Sequence, residues 1–422
     1  MKENISWQTD DELRQFFIGL CDRIETADDA LHVFVTGTHS RDLVLEQVNQ
    51  LLTRFPRQGV RPPLFGIPVG VKDIFHCDGF VTRCGSDLPP ELFQGPEAHS
   101  VSRLKAAGVV MMGKTETTEF AYFAPAATRN PVNLAHTPGG SSSGSAAGVA
   151  AGFFKYSLGT QTVGSVIRPA AYCGITGFKP SLGRIDTSGV VPFSSTVDHV
   201  GVFGRSMSCL PPVLAVLDNR WQNTRAPDSF RLGVPVGAYL AQAKEPTLAF
   251  FRKQVRRLEA AGCNIVEVAL FEDIKEVNKR HSQLIAAEIA RVHASWFEAQ
   301  THRYRSETRE IITTGMAVKD IELAELRQSC PRLRNSISEV MARHRLDAWI
   351  CPATIDEAPG GLETTGSPLM NLPWTHAGMP AVTIPAGNGP GGLPLGLQLV
   401  GDFMTDEVLA ALTIKAEEIL AK

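Results

Sequence analysis

The sequence predicts an α/β protein, a mixed and mostly parallel β-sheet covered by helices on both faces, and three observations carry that expectation. Residues 97–107 read as a helix and lead straight into the apolar run Val109–Met112, which reads as a buried strand. A second apolar, strand-like segment ends in the turn Gly159–Ser165 and is followed by Val166–Tyr172, which opens as a helix, so the alternation recurs. The 422 residues are 43% hydrophobic and 20% charged, enough apolar side chain for a large core, and α/β enzymes of this size are often one piece.

Taken in order, residues 9–25 show helical spacing, with Asp10 and Asp11 placed at the positive end of the helix. A short β-like run, Leu31–Val35, follows, and Ser40 opens another helix to about Phe55. Pro56–Pro63 is a loop, and Gly66–Ile74 is a strand by its Val and Ile content. Met111 and Met112 read as core. From about Met207 to Arg345 the pattern is mainly helical, with apolar residues every three or four positions in Pro246–Ala261 and Leu284–Gln300. Strand-like pieces return at Leu346–Pro352, Val382–Pro385 and Leu395–Val400, before a closing helix Glu407–Leu420.

The 41 basic and 44 acidic side chains leave a formal charge of −3, which implies no nucleic-acid partner. Eight cysteines are scattered without a C-x-x-C pair and read as buried thiols in a reducing compartment, not as disulfides or a zinc site. The N-terminal stretch has no apolar core of signal-peptide length and no later run reaches membrane-span length, so the expected location is cytoplasmic, with no membrane partner.

Chemistry concentrates between Thr137 and Gly174. Glycines surround Ser141, Ser142 and Ser143, letting main chain approach a bound group, and the run passes into Ala-Ala-Gly-Val-Ala-Ala-Gly, suited to a tightly packed helix. The turn Gly159–Ser165 then displays a serine at a strand end among free backbone N–H groups, the donors an oxyanion needs, which points to acyl transfer. A phosphate-cradling loop would end Gly-Lys-Ser/Thr, and this one ends Gly-Ser-Ala-Ala. Ser165 is not in a G-x-S-x-G elbow, so a Ser-His-Asp triad is disfavoured. His76 and His199 read as packing or hydrogen-bonding residues and His136 as a pocket-edge residue.

These motifs resemble the amidase signature family of serine hydrolases, whose signature runs from a Gly-Gly-Ser-Ser loop to a Gly-Thr-Asp-Thr-Gly-Gly-Ser-like turn and on to Pro-Ala and Cys-Gly. The resemblance covers about residues 10–206 and 346–420. It implies a Ser-Ser-Lys triad: Ser165 as nucleophile, Ser141 as bridging serine on a cis peptide bond twenty-four positions earlier, and Lys72 from Gly66-Ile67-Pro68-Val69-Gly70-Val71-Lys72-Asp73. Burial at the end of its strand would leave Lys72 a neutral amine able to act as a base near neutral pH. Backbone N–H groups of Thr162, Val163, Gly164 and Ser165 would hold the oxyanion, and Tyr122, Phe123, His136 and Trp374 would line the acyl pocket. Lys114 is read as a surface lysine closing a strand.

The implied protein is a single domain, residues 1–422, with residues 207–345 a variable, mainly helical substrate-specificity region. Its implied activity is hydrolysis of a linear amide of a small or medium soluble substrate, without metal or organic cofactor; homodimerisation rests on the resemblance alone. Two alternatives stand beside it: a transamidase-type glutaminase subunit supplying ammonia to a partner, and a non-catalytic family member. The chain departs from the family pattern at Glu116 (often Asn), Gln161 (usually Asp), Val163-Gly164 (usually a glycine pair) and Arg168, which follows the nucleophile by three positions instead of two.

Overall fold

The computed structural model describes residues 7, 9–227 and 229–421. Its centre is a mixed sheet of ten strands: β1 (Pro68–Lys72), β2 (Val110–Thr115), β3 (Tyr156–Gln161), β4 (Thr176–Lys179), β5 (His199–Gly204), β6 (Arg231–Val236), β7 (Asn264–Ala269), β8 (Ala348–Pro352), β9 (Ala381–Asn388) and β10 (Pro394–Val400). They lie in the order β2-β1-β3-β5-β4-β9-β10-β8-β6-β7. Parallel pairing is confined to two three-stranded wings, β2-β1-β3 and β8-β6-β7. The strands between and bordering them pair antiparallel.

Alternation along the strands sends side chains to two faces, each covered by helices. Val69 and Val71 of β1 join a core with the helices His99–Ala106 and Asp406–Leu420. On the opposite face, Val110 and Met112 of β2 pack with the helices Asp10–Leu31, Arg41–Arg54 and Ser143–Ala151. Trp349 and Cys351 of β8 pack there with Asp320–His344 and Leu372–His376. The short helix Ile167–Cys173 stands at the seam, giving Ala170 to one of these two cores and Ile167 and Ala171 to the other.

Local rules account for much of this. Thr9 and Glu12 form a capping box that starts the first helix behind Asp10 and Asp11. Gln47 covers the edge strand β2 with one side chain, accepting from Met111 N at 3.0 Å and donating to Met111 O at 2.9 Å, which blunts an otherwise open edge. Of the run Leu31–Val35, Leu31 ends the first helix and Phe34 makes a single bridge to Thr115. Residues 207–345 contain β6 and β7 as well as helices. Among the described residues no helix is long and apolar enough to cross a membrane.

Lys114 corrects the surface reading: it is fully buried, its Nζ 2.7 Å from Asp73 Oδ1 and 2.9 Å from Thr82 Oγ1. Its partner stands on the end of the neighbouring strand, so the pair exists only once β1 and β2 are aligned.

Candidate active site

The serine loop is held tightly from below. Helix Ser143–Ala151 approaches Phe154 so closely that a Cβ on Gly148 would lie 2.1 Å from that ring, which is why small residues fill this run. The Gly140–Ser141 peptide bond is cis. Ser142 Oγ meets both N and O of Thr160 at 3.3 Å, and Ser143 Oγ donates to Gly139 O at 2.8 Å, clasping the loop to the end of β3 and to itself.

Lys72 leaves the end of β1 and is 0% exposed; its Nζ lies 2.7 Å from Ser141 Oγ and 2.7 Å from Thr160 Oγ1. With hydroxyls for partners, burial pulls this amine down from 10.5 to about 7, while the charge of Asp198 pulls it back up. An amine at that value can donate to Thr160 and accept from Ser141 at neutral pH. Ser165 lies 7% exposed in the turn between β3 and helix Ile167–Cys173, five residues beyond Thr160.

That turn is pinned by its carbonyls. Thr375 Oγ1 donates to Val163 O at 2.7 Å, and Gly164 O accepts from Arg168 N at 2.9 Å. Among the described residues no backbone hydrogen bond takes the N–H groups of Val163, Gly164 or Ser165. Gln161 closes the ring: Oε1 accepts from Val166 N at 2.8 Å and Ile167 N at 2.9 Å, while Nε2 donates to Thr375 Oγ1 at 2.9 Å. A carboxylate could do the first task and not the second, which gives the Gln its physical reason. A Cβ on Gly164 would lie 2.5 Å from Asn371 Oδ1, so glycine is required there, whereas the Val163 side chain has room along a cleft.

This cleft measures about 650 Å³ and is lined by Tyr122, Phe123, Val163, His281, Glu307 and Leu372 among others. Tyr122 and Phe123 lie on this cleft, which Val163 joins to the serine turn. His136 lies elsewhere, its Nδ1 2.9 Å from Ala358 O, and is not among the cleft-lining residues. Trp374 is 0% exposed, donating to Tyr239 Oη at 2.8 Å within a cluster with Phe271 and Trp349, a core residue and not a wall of the cleft. Arg168 is 2% exposed and its Nη2 donates to Gly140 O at 2.7 Å and Thr365 Oγ1 at 3.1 Å.

Sequence reasoning did not single out Asp198, Thr160, Thr375 or His281 as parts of the site. Asp198 accepts from Thr162 Oγ1, Phe193 N and Ser194 N, and burial pushes its carboxyl up to about 6. His281 Nδ1 lies 3.2 Å from His376 Nδ1, and burial pulls both imidazoles down, keeping them neutral at pH 7. Thr160 had a signal, since it sits in the same turn as Ser165; the others are brought in from distant segments. Among the described residues no group of three or more His, Cys, Asp or Glu could hold a metal ion.

Comparison with known proteins gives a consistent set of relatives. The family model described as Amidase matches residues 19–410. A glutamyl-tRNA(Gln) amidotransferase subunit from Synechococcus sp. (strain WH7803) is 30% identical, covering 94% of this chain and 91% of that protein. The protein of the same name from Hahella chejuensis is 31% identical, covering 91% and 89%. Among solved structures, one described as an amidase superposes with a TM-score of 0.86 at 27% identity over 96% of each chain. The native peptide amidase of Stenotrophomonas maltophilia superposes with a TM-score of 0.81 at 25% identity, over 97% of this chain and 94% of its own.

Proposed function

The chain belongs to the amidase family, an enzyme family acting on carbon–nitrogen bonds, and from that premise we propose that it is an amidohydrolase working through Ser165, Ser141 and Lys72. The observation that carries the reading is the contact of a buried, near-neutral Lys72 amine with Ser141 Oγ at 2.7 Å. Lys72 Nζ takes the proton of Ser141 as Ser141 Oγ takes that of Ser165, whose oxygen bonds to the amide carbon. The N–H groups of Thr162, Val163, Gly164 and Ser165 receive the charge that develops on the carbonyl oxygen. As the C–N bond breaks, the proton returns through the relay to the leaving nitrogen, which departs as ammonia or an amine. Water then attacks the acyl-enzyme, giving up its proton to the same relay, and Ser165 is released with the acid product.

A second reading is favoured by the curated relatives: a glutaminase subunit that supplies ammonia to a partner. The two share the same chemistry and differ in where ammonia goes. The test is ammonia and amine release across simple amides, aryl amides, ureas, glutamine and asparagine, run beside Ser165→Ala, with mass spectrometry of the protein after a serine-directed acylating probe. Release lost in the variant and a probe adduct on Ser165 support the hydrolase. Turnover confined to glutamine supports the subunit reading. Retained turnover in Ser165→Ala, or no adduct with any probe, sinks both.

A further inference from the structure

The charged side chains that line the substrate cleft are all of one sign. Glu307 and Glu310 stand on its wall, and among the described residues no lysine or arginine does. Both carboxylates come from the helix Ser306–Met316, where Glu307, Glu310, Ile311 and Thr314 fall three and four apart and share the face turned to the cleft, while Arg309 falls on another. The arginines just before this helix are engaged elsewhere, Arg303 Nη1 with Asp87 O at 3.1 Å and Arg305 Nη1 with Pro125 O at 2.6 Å. Neither Glu307 nor Glu310 has an ion-pair partner among the described residues; Glu307 accepts from Ser306 Oγ at 3.0 Å. Burial, then the charges of Glu310 and Glu307, push the Tyr122 phenol up, so both carboxylates act on one ring of the cleft, which meets Phe123 edge-on at 4.8 Å.

A third acceptor in the same wall is fully buried. Ser329 Oγ gives its single proton to Leu326 O at 2.5 Å, so its 2.8 Å contact with His376 Nε2 is made by the N–H of the imidazole. Burial keeps that ring neutral, which leaves its Nδ1 a lone pair, and the N–H meeting it at 3.2 Å is Nδ1 of His281. His281, neutral for the same reason, is therefore bare at Nε2. That atom is buried without a hydrogen-bond partner, in a ring that lines the cleft and lies beside the Thr162 main chain of the serine turn. A desolvated lone pair there calls for a donor on the molecule that enters. Carboxylates set with aromatic rings are surroundings that hold an organic cation, and about 650 Å³ takes a chain of several carbons besides the amide.

We propose that the cleft selects amides whose chain carries a protonated amine, the ammonium being held by Glu307 and Glu310 against the Tyr122 ring. This rests on the hydrolase reading above and names the substrate class of that same site. Glu307 and Glu310 then act as specificity determinants: an ammonium brings three donors and a positive charge to carboxylates that have no cation of their own, and a neutral amide of the same length brings neither.

The experiment compares kcat/KM for 4-aminobutanamide, 6-aminohexanamide and N-(4-aminobutyl)acetamide with butyramide, hexanamide and N-butylacetamide, at low salt. The proteins are the wild type, a double variant Glu307→Gln with Glu310→Gln, and a double variant Glu307→Lys with Glu310→Lys. At least one amino amide should exceed its neutral partner by about tenfold or more in the wild type. That ratio should fall towards one in the glutamine variant and below one in the lysine variant. Glu307 is half-buried and Glu310 exposed, so the glutamine variant, which changes charge and not shape, keeps the fold. No preference in the wild type, or an undiminished preference in the glutamine variant, overturns the proposal. If none of these amides is turned over, calorimetric binding of the same six to the wild type decides, because it needs no chemistry. An amino amide that binds more tightly than its neutral partner, and loses that advantage in the glutamine variant, upholds the cation site even if Ser165 proves inert. Equal binding of each pair, or an advantage that persists in the variant, overturns it.

Discussion

Lys72 and Lys114 are both fully buried and stand on adjacent strands, with Val71 paired to Lys114 and Lys72 to Thr115, yet their surroundings differ in one respect. Lys114 has a carboxylate, Asp73, at 2.7 Å. Lys72 has two hydroxyls, Ser141 and Thr160. Burial alone therefore does not make a base. A buried lysine given only hydroxyls loses its proton near neutrality, the state the proposed relay requires. Burial pushes the Asp73 carboxyl up, and Lys114 beside it pulls it back down.

The largest expected effect comes from removing the amine that lacks a counter-ion. Lys72→Met should lower kcat about a thousandfold or more, since general-base contributions of this kind run to about 10²–10⁴. Its melting temperature should hold or rise, because an apolar chain replaces a buried amine. Activity within tenfold of the wild type would remove Lys72 from the reaction. Lys114→Met breaks the other half of the comparison: it strands Asp73 in the core and should destabilise folding by about 3–5 kcal/mol in a denaturant titration, with turnover per folded molecule little changed. Restoring part of that stability with Asp73→Asn in the same chain checks the cause.

A finer test uses pH. In the proposed relay Lys72 acts as the free amine, so kcat/KM should fall as pH drops through about 7. Asp198 is the carboxylate that holds the lysine up, hence Asp198→Asn should move that limb to lower pH. Burial also raises Glu116 to about 7, and Glu116→Gln should leave the limb where it is. Stability carries the same sign: between about 7 and 10.5 the unfolded chain holds a proton on Lys72 that the native one does not, so this group's contribution to stability increases with pH over that window. The slope should be missing in Lys72→Met. An identical slope in the two proteins would contradict the lowered value.

The smallest effect concerns the frame around the serine turn. Gln161→Glu keeps the acceptor for Val166 and Ile167 but loses the donor to Thr375, which positions the Val163 carbonyl. About a tenfold fall in kcat with KM within about twofold is expected, below the loss from removing an oxyanion donor outright. A change in KM alone would assign Gln161 to substrate binding instead.

Legibility in the sequence followed the range of the interactions. The strand ending at Lys72, the small-residue helix under the serine loop and the turn carrying Ser165 could be read because residue type and spacing over ten or so positions control them. β6 and β7 were not distinguished from their helical surroundings: β6 contains Gly233 and Pro235, which weaken the strand signal, and β7 is a largely exposed edge. The family resemblance alone puts Trp374 in the pocket, and the structure puts it in the core; an aromatic side chain reads the same in a sequence whether it fills a core or lines a cleft.

By itself, the sequence determined the α/β class, the segments that carry Lys72, Ser141 and Ser165, and the small residues that let those segments close on one another. These follow from backbone freedom, side-chain volume and periodicity, which act between near neighbours along the chain. Only the tertiary structure decided how each buried charge is partnered: Asp73 with Lys114, three carboxylates with Arg184, two hydroxyls with Lys72, and the Gly140 carbonyl and Thr365 hydroxyl with Arg168. It also decided that Gln161 meets Thr375, 214 positions away. Once water is excluded, a group's charge state depends on the few atoms packed against it, and the folding of distant segments onto the sheet selects those atoms.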